Sequence, residues 1–434
     1  MNASESASSK TRDLLSIASV PLIMTLGNSM FIPVLPNIQA KLGLTSLQTS
    51  FIITAYAITA ILLIPVAGLL SDRYGRKKVM IPSLIITAVG GLICGFAALF
   101  SAQAAYIFIL LGRFVQGIGA SGAFPIVLPL VGDLFRDDKE ISKGLGLIET
   151  ANTFGKVLSP VLGSALALWA WYIPFFSIPL LCAVSLVLLL VFLNVPKAEG
   201  KPPGWSSLIR PVIKTLKEEK RWLVPIFISG GILMFVLFGF LFHLSSLLEE
   251  RFAIDGIVKG LLLAIPLLGL CLASYATGKL AGSNKTVKKV LAVVGLAAGT
   301  AAMLAVAWIV PYTVVVWLAL FSAAGIGFGI ALPVLDALIT EGIDKSQRGA
   351  VTSLYSSMRF IGVAAGPPVT ALLAAAGHAA IFYTYAALCA VSAVVVWVWI
   401  KPKQRSGTKE ERKDEPKDEK EAWFGPGGRA RAKT

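Results

Sequence analysis

The sequence predicts an all-α polytopic membrane protein whose twelve spanning helices form two related six-helix bundles. Three observations carry that expectation. Of 434 residues, 56% are apolar or aromatic and 15% are charged, against roughly 25% charged in soluble domains, which excludes a soluble fold. The apolar residues gather into a dozen runs, each near the roughly 20 residues that cross hydrocarbon. The last six runs also echo the first six in the placing of Gly and Pro.

The runs fall at 14–36, 47–70, 79–100, 104–131, 144–168 and 174–194, then 223–246, 257–281, 290–308, 312–338, 349–375 and 379–400. The first carries Pro21 and Pro33 and is followed by many like it, so it reads as an uncleaved span and not a signal peptide. Residues 1–194 make the first bundle and 223–400 the second. The connection 195–222 holds Lys197, Lys201, Arg210, Lys214, Lys217, Lys220 and Arg221. Within it Leu208, Ile209, Val212, Ile213 and Leu216 recur at helical spacing, which predicts an amphipathic helix on the membrane surface. Residues 401–434 are dense in Lys, Glu, Asp, Gly and Pro, too polar to bury a core, and are expected to be a disordered cytoplasmic tail.

Twelve spans place both termini on one side. With the termini inside, the inner segments hold 33 Lys and Arg and the outer loops three, Lys41, Arg251 and Lys259. The positive-inside rule therefore puts the termini in the cytoplasm, with a bacterial cytoplasmic membrane as the expected location. The net charge of +15 is accounted for by this topology, so no nucleic-acid partner is expected. Cys94, Cys182, Cys271 and Cys389 lie in apolar runs without metal-ligand spacing and read as small buried hydrophobes. His243 and His378 fall near outer span ends and read as interfacial.

The internal echo is specific. Gly117–Pro125 (GIGASGAFP) matches Gly325–Pro333 (GIGFGIALP) at an offset of 208, Gly155 with Pro160 recurs as Gly362 with Pro367 at 207, and Gly68 as Gly278 at 210. Duplication of a six-span unit explains three ordered patches at one offset. Transporters are commonly built this way, with the substrate site where the repeats meet.

The loop Gly68-Leu-Leu-Ser-Asp72-Arg73-Tyr-Gly75-Arg76-Lys77-Lys78 joins the second and third spans. Gly75 permits a tight turn, Asp72 sits at a helix end, and the basic cluster stays in the cytoplasm. The loop resembles the signature loop of the major facilitator superfamily. That resemblance implies a conformational latch of Gly68, Asp72, Arg73, Gly75 and Arg76; the matching loop of the second half has Gly282 near the acidic position and reads as degenerate. In the fourth span, Leu111-Gly-Arg113-Phe-Val-Gln116-Gly117 is similar to the family motif whose arginine is implicated in proton coupling. The alternative is that Arg113 only ties helices together by bonding neighbouring carbonyls. The fifth span, with Gly146, Gly155, Ser159, Pro160 and Gly163, resembles the family's antiporter motif, two serines standing for glycines. Its Gly155, Ser159 and Gly163 make a smooth face for close packing, and Pro160 allows a bend. Leu26–Pro36 resembles the first-helix signature of twelve-span exporters.

Ionisable residues inside spans are functional candidates. Glu149 and Lys156 share a face of the fifth span, about 10 Å apart along its axis, with Asp336 in the tenth and Arg359 in the eleventh. Glu149 is the preferred proton carrier, with Arg113 and Asp336 as partners in coupling; neutralisation of Glu149 by Lys156 is the plainer alternative. Asn28, Tyr56, Asn152, Lys156, Tyr355 and Arg359 are the candidate cavity groups. Three intramembrane cations against two acids hint at a cargo with negative charge. No Walker A pattern or zinc-protease helix occurs, so neither ATP hydrolysis nor metal chemistry is expected, and no cofactor is called for. The expectation is a monomeric exporter of small amphipathic compounds, a drug or a metabolite, exchanging them for protons across the bilayer. Proton symport on the same scaffold and a transport-inactive membrane sensor are the alternatives, and the cargo's identity stays open among drugs, siderophores, sugars and lipids.

Overall fold

The computed structural model describes residues 3–134, 138–193, 205–281, 284–309, 313–343 and 345–400. The first half runs α1 (Ala3–Ser29), α2 (Leu35–Leu42), α3 (Ser46–Tyr74), α4 (Arg76–Phe96), α5 (Ala102–Ala123), α6 (Val127–Leu134), α7 (Asp138–Ala167) and α8 (Ile173–Val191). After α9 (Trp205–Glu218) come α10 (Lys220–Glu250), α11 (Gly256–Leu280), α12 (Lys285–Ile309), α13 (Val314–Gly342), α14 (Lys345–Ala375) and α15 (His378–Trp399). Ten of the described helices or helix pairs are long and apolar enough to cross a membrane by length and composition alone. The other two spans are α1, with its polar start, and α7, with Glu149 and Lys156. Both are held by packing, α1 against α7.

Every major contact in the first half has its counterpart in the second. Packing of α4 on α5, α3 on α5, α4 on α8 and α1 on α7 is repeated by α12 on α13, α11 on α13, α12 on α15 and α10 on α14. The glycines of the sequence echo explain why. A Cβ on Gly117 would stand 2.2 Å from the Tyr56 carbonyl oxygen, and one on Gly325 would stand 2.4 Å from that of Pro266. Likewise Gly155 meets the Leu22 carbonyl of α1 and Gly362 the Gly231 carbonyl of α10. The approaches at Gly117, Gly325 and Gly362 exclude any side chain and that at Gly155, 3.1 Å, is tight, so the duplicated Gly positions encode a duplicated bundle. The two bundles meet along a seam where α3 lies on α14 and α7 on α11.

Two spans depart from the single runs read in the sequence. The first ends at Ser29, and after a turn α2 continues it. The fourth breaks at 124–126 into α5 and α6, where Pro125 supplies no backbone donor. Pro333, its counterpart, is absorbed within α13. One end of the molecule carries Gly75, α9 and most of the basic residues between helices, and is called the basic face below. His243 and His378 pack together near the other end, ring centroids 5.9 Å apart, against Trp317 and Phe382. The predicted tail 401–434 and Gly282 lie outside the described residues, as do the side chains of Leu208 and Ile209 in α9.

Candidate functional site

The predicted site residues separate into three places. The first is a closed nest within the first bundle. Arg113 is fully buried in α5, and each of its guanidinium nitrogens donates: Nε to the Ile52 carbonyl at 2.9 Å, Nη1 to the Gly27 carbonyl at 3.2 Å and Gln116 Oε1 at 2.8 Å, and Nη2 to Asn28 Oδ1 at 2.9 Å. The rings of Phe31 and Tyr56 lie 4.9 and 4.6 Å from its carbon centre. Asn28 and Tyr56 are thus engaged by Arg113, which ties α5 to α1 and α3. Among the described residues no carboxylate takes part. Phe31 is a member that the sequence reading missed.

The second place is the latch. Gly75 adopts φ 102, open only to glycine without strain, and its N–H caps α3 on the Ser71 carbonyl. Arg76 pairs with Asp72 and, through Nε at 2.9 Å, with Asp133 at the end of α6, while its Nη1 donates to Ser71 Oγ at 2.7 Å. Arg73 lies 5.6 Å from the Tyr74 ring. Gly68 faces across the seam: a Cβ there would come 3.2 Å from Ser353 Oγ on α14. Asp133 reaches this group from α6, beyond the helix break at Pro125. In the second half, Lys288 at the start of α12 pairs with Glu341 at the end of α13. Offset from Asp133 by 208, Glu341 shows that a basic–acidic brace persists there.

The third place is the seam itself. Glu149 and Lys156 project from α7 of one bundle, and Asp336 of α13 and Arg359 of α14 from the other, close enough for their charges to act on one another. Arg359 Nη1 lies 3.4 Å from Asp336 Oδ2, and its guanidinium stands over the Tyr355 ring at 5.7 Å. The Tyr355 hydroxyl is buried beside the Asp336 carboxylate. Asn152 Nδ2 donates to the Glu149 carboxylate at 3.3 and 3.4 Å, and Thr25 of α1 donates to Asn152 Oδ1 at 2.6 Å. Thr25 was not legible as a site residue, since nothing in the sequence places it opposite Asn152. Among the described residues, Glu149 and Lys156 form no ion pair.

The antiporter-like face of α7 lies between these places. Gly163 meets the Met30 carbonyl and Gly155 the Leu22 carbonyl, both of the first span. Ser159 donates its hydroxyl to the Gly155 carbonyl. Pro160 turns its carbonyl across the seam, 2.4 Å from where a Cβ on Gly260 of α11 would be. Gly146 has open space around it.

The model of the Major Facilitator Superfamily matches residues 17–367 and again 244–431. The chain belongs to the Major Facilitator Superfamily. It is 48% identical over 386 residues to the bacillibactin exporter of Bacillus subtilis (strain 168), a match that covers 89% of this chain and 95% of that one. Multidrug resistance protein 2 of the same organism is 28% identical over 212 residues, 49% of this chain and 51% of the relative. Among solved structures, that of the human organic anion transporter MFSD10 (TETRAN) matches with a TM-score of 0.70 at 20% identity, covering 89% of this chain and 99% of that one, a likeness of fold. With the family comes the coarse activity, that of a multi-pass membrane transporter, and the relatives named are transporters of the efflux kind.

Proposed function

We propose that this facilitator-superfamily chain exports small amphipathic compounds across a bacterial cytoplasmic membrane in exchange for protons, its bundles rocking so that the seam opens to one side at a time. The observation that carries this reading is the placement of Glu149 and Lys156 on one bundle opposite Asp336 and Arg359 on the other. Four ionisable groups at a seam between moving bodies are expensive to keep unless their charges change partners during the cycle. Glu149 is the proton carrier, because its carboxylate is held only by long hydrogen bonds from Asn152 and Thr153 among the described residues, whereas Asp336 is engaged by the Arg359 cation. Lys156, Asn152, Tyr355 and Arg359 supply the polar side of the cargo site.

The basic face is the cytoplasmic one, with both termini there. Toward the other face Ser245 of α10 donates to the Ile32 carbonyl at 2.8 Å and Gly260 sits against Pro160, contacts that support a state closed to the outside. The Asp72–Arg76–Asp133 latch braces α3, α4 and α6 to one another at the basic end, and its rearrangement accompanies the return stroke. One chain contains a whole seam, so a monomer suffices, with the bilayer, protons and cargo as partners. Likeness to the bacillibactin exporter over almost the whole of its length supports export over uptake, and a cargo of bacillibactin's kind.

The test is transport by proteoliposomes of the purified chain with an imposed pH gradient and a fluorescent amphipathic dye. Uphill movement against proton flow is expected. Glu149→Gln should end the response to the gradient while dye counterflow continues; coupling that survives this change moves the proton to Asp336.

A further inference from the structure

Resting on the exchange reading above, the charge balance at the seam points to the chemical class of the cargo. Arg359 is engaged by Asp336 at 3.4 Å, and the Glu149 carboxylate by Asn152. Lys156 is left over: among the described residues its ammonium has neither an ion pair nor a hydrogen bond, although Glu149 lies on the same helix. It borders a narrow cleft between the bundles whose other walls are almost wholly apolar, including Pro160, Leu237, Phe238, Leu263 and Leu267. Glu149 and Asp336 act on this cation from beyond ion-pair distance, so its donors stay open to an acidic group that enters the cleft. Arg113 shows the contrast, since a cation kept for structure is surrounded by acceptors.

We propose that Lys156 anchors an acidic group of the cargo, so that the transported compounds are amphipathic organic anions whose apolar bodies lie against Leu237, Phe238 and Leu267. The Asp336–Arg359 pair is neutral. The loaded seam, with Lys156 positive and cargo and Glu149 negative, carries one net negative charge. The empty seam with Glu149 protonated carries one positive charge. A membrane potential negative inside draws the first outward and the second inward, so exchange of one monoanion for one proton moves two charges with the potential.

The full chain in nanodiscs is titrated with N-dansyl-phenylalanine, a carboxylate, and with N-dansyl-phenylalaninamide, its neutral match. The acid should bind tenfold or more tightly than the amide. Lys156→Gln should bring that ratio to about one, and Lys156→Arg should keep most of it. Thermal unfolding separates lost recognition from lost fold; if Lys156→Gln melts early, Lys156→Met carries the same comparison. A wild-type ratio near one, or a ratio that survives removal of the ammonium in a folded variant, overturns the proposal. In proteoliposomes, the logarithm of the acid's steady-state gradient should change with imposed potential about twice as steeply as the amide's, and equal slopes overturn it too. If neither probe moves uphill, the proton-exchange reading alone falls, and the binding ratio still decides the anchor.

Discussion

Arg113 and Lys156 are both cations set into spanning helices, yet their surroundings differ in kind. Each nitrogen of the Arg113 guanidinium meets an oxygen of the first bundle, with aromatic rings close by. Among the described residues no oxygen bonds the Lys156 ammonium, which borders the cleft between the bundles. A charge whose partners all lie within one rigid bundle keeps them through any rocking motion. Lys156, at the seam and without such a partner among the described residues, is open to whatever enters. The difference separates a tie from a site by how far each charge is satisfied, and intramembrane position alone does not.

The comparison breaks most readily at Arg113. Arg113→Met strands Asn28, Gln116 and two carbonyls, and should cost roughly 3–5 kcal/mol of stability, read as early melting in detergent; a variant that melts normally but loses only proton coupling would put Arg113 with the functional charges. Next comes Glu149→Gln, which should lower gradient-driven transport about a hundredfold, equivalent to roughly 2.7 kcal/mol, with little change in melting. Asp336→Asn sharpens the contrast from the other side. It frees Arg359 from a partly exposed pair, should cost only about 1 kcal/mol, and should strengthen binding of the dansyl acid as a second cation becomes free. The smallest effect is expected at Gly278→Ala, where nothing lies within 4 Å of the added methyl; its melting should stay within roughly 0.5 kcal/mol of wild type, whereas Gly362→Ala, forced against the Gly231 carbonyl, should unfold early.

The site was legible in part. Glu149, Lys156, Asp336 and Arg359 stood out as charges in apolar runs, because hydrocarbon makes every such residue conspicuous. Their grouping did not stand out, since residues 149 and 336 become neighbours only through packing of the second bundle on the first. Asn28 and Tyr56 looked like free cavity groups because a sequence cannot show that a guanidinium already occupies them. Asp133 and Glu341 were overlooked as brace residues: each sits at a helix end, where a carboxylate is ordinary, and only its partner 53 or 57 residues away makes it matter.

The sequence by itself determined the number of spans, their duplication and the family, because crossing hydrocarbon demands long apolar runs and close helix packing demands glycine at fixed places. The tertiary structure alone decided which charges are satisfied and which remain open. Hydrogen bonds and ion pairs depend on distances of about 3 Å between atoms on different helices, and no spacing along the chain encodes those.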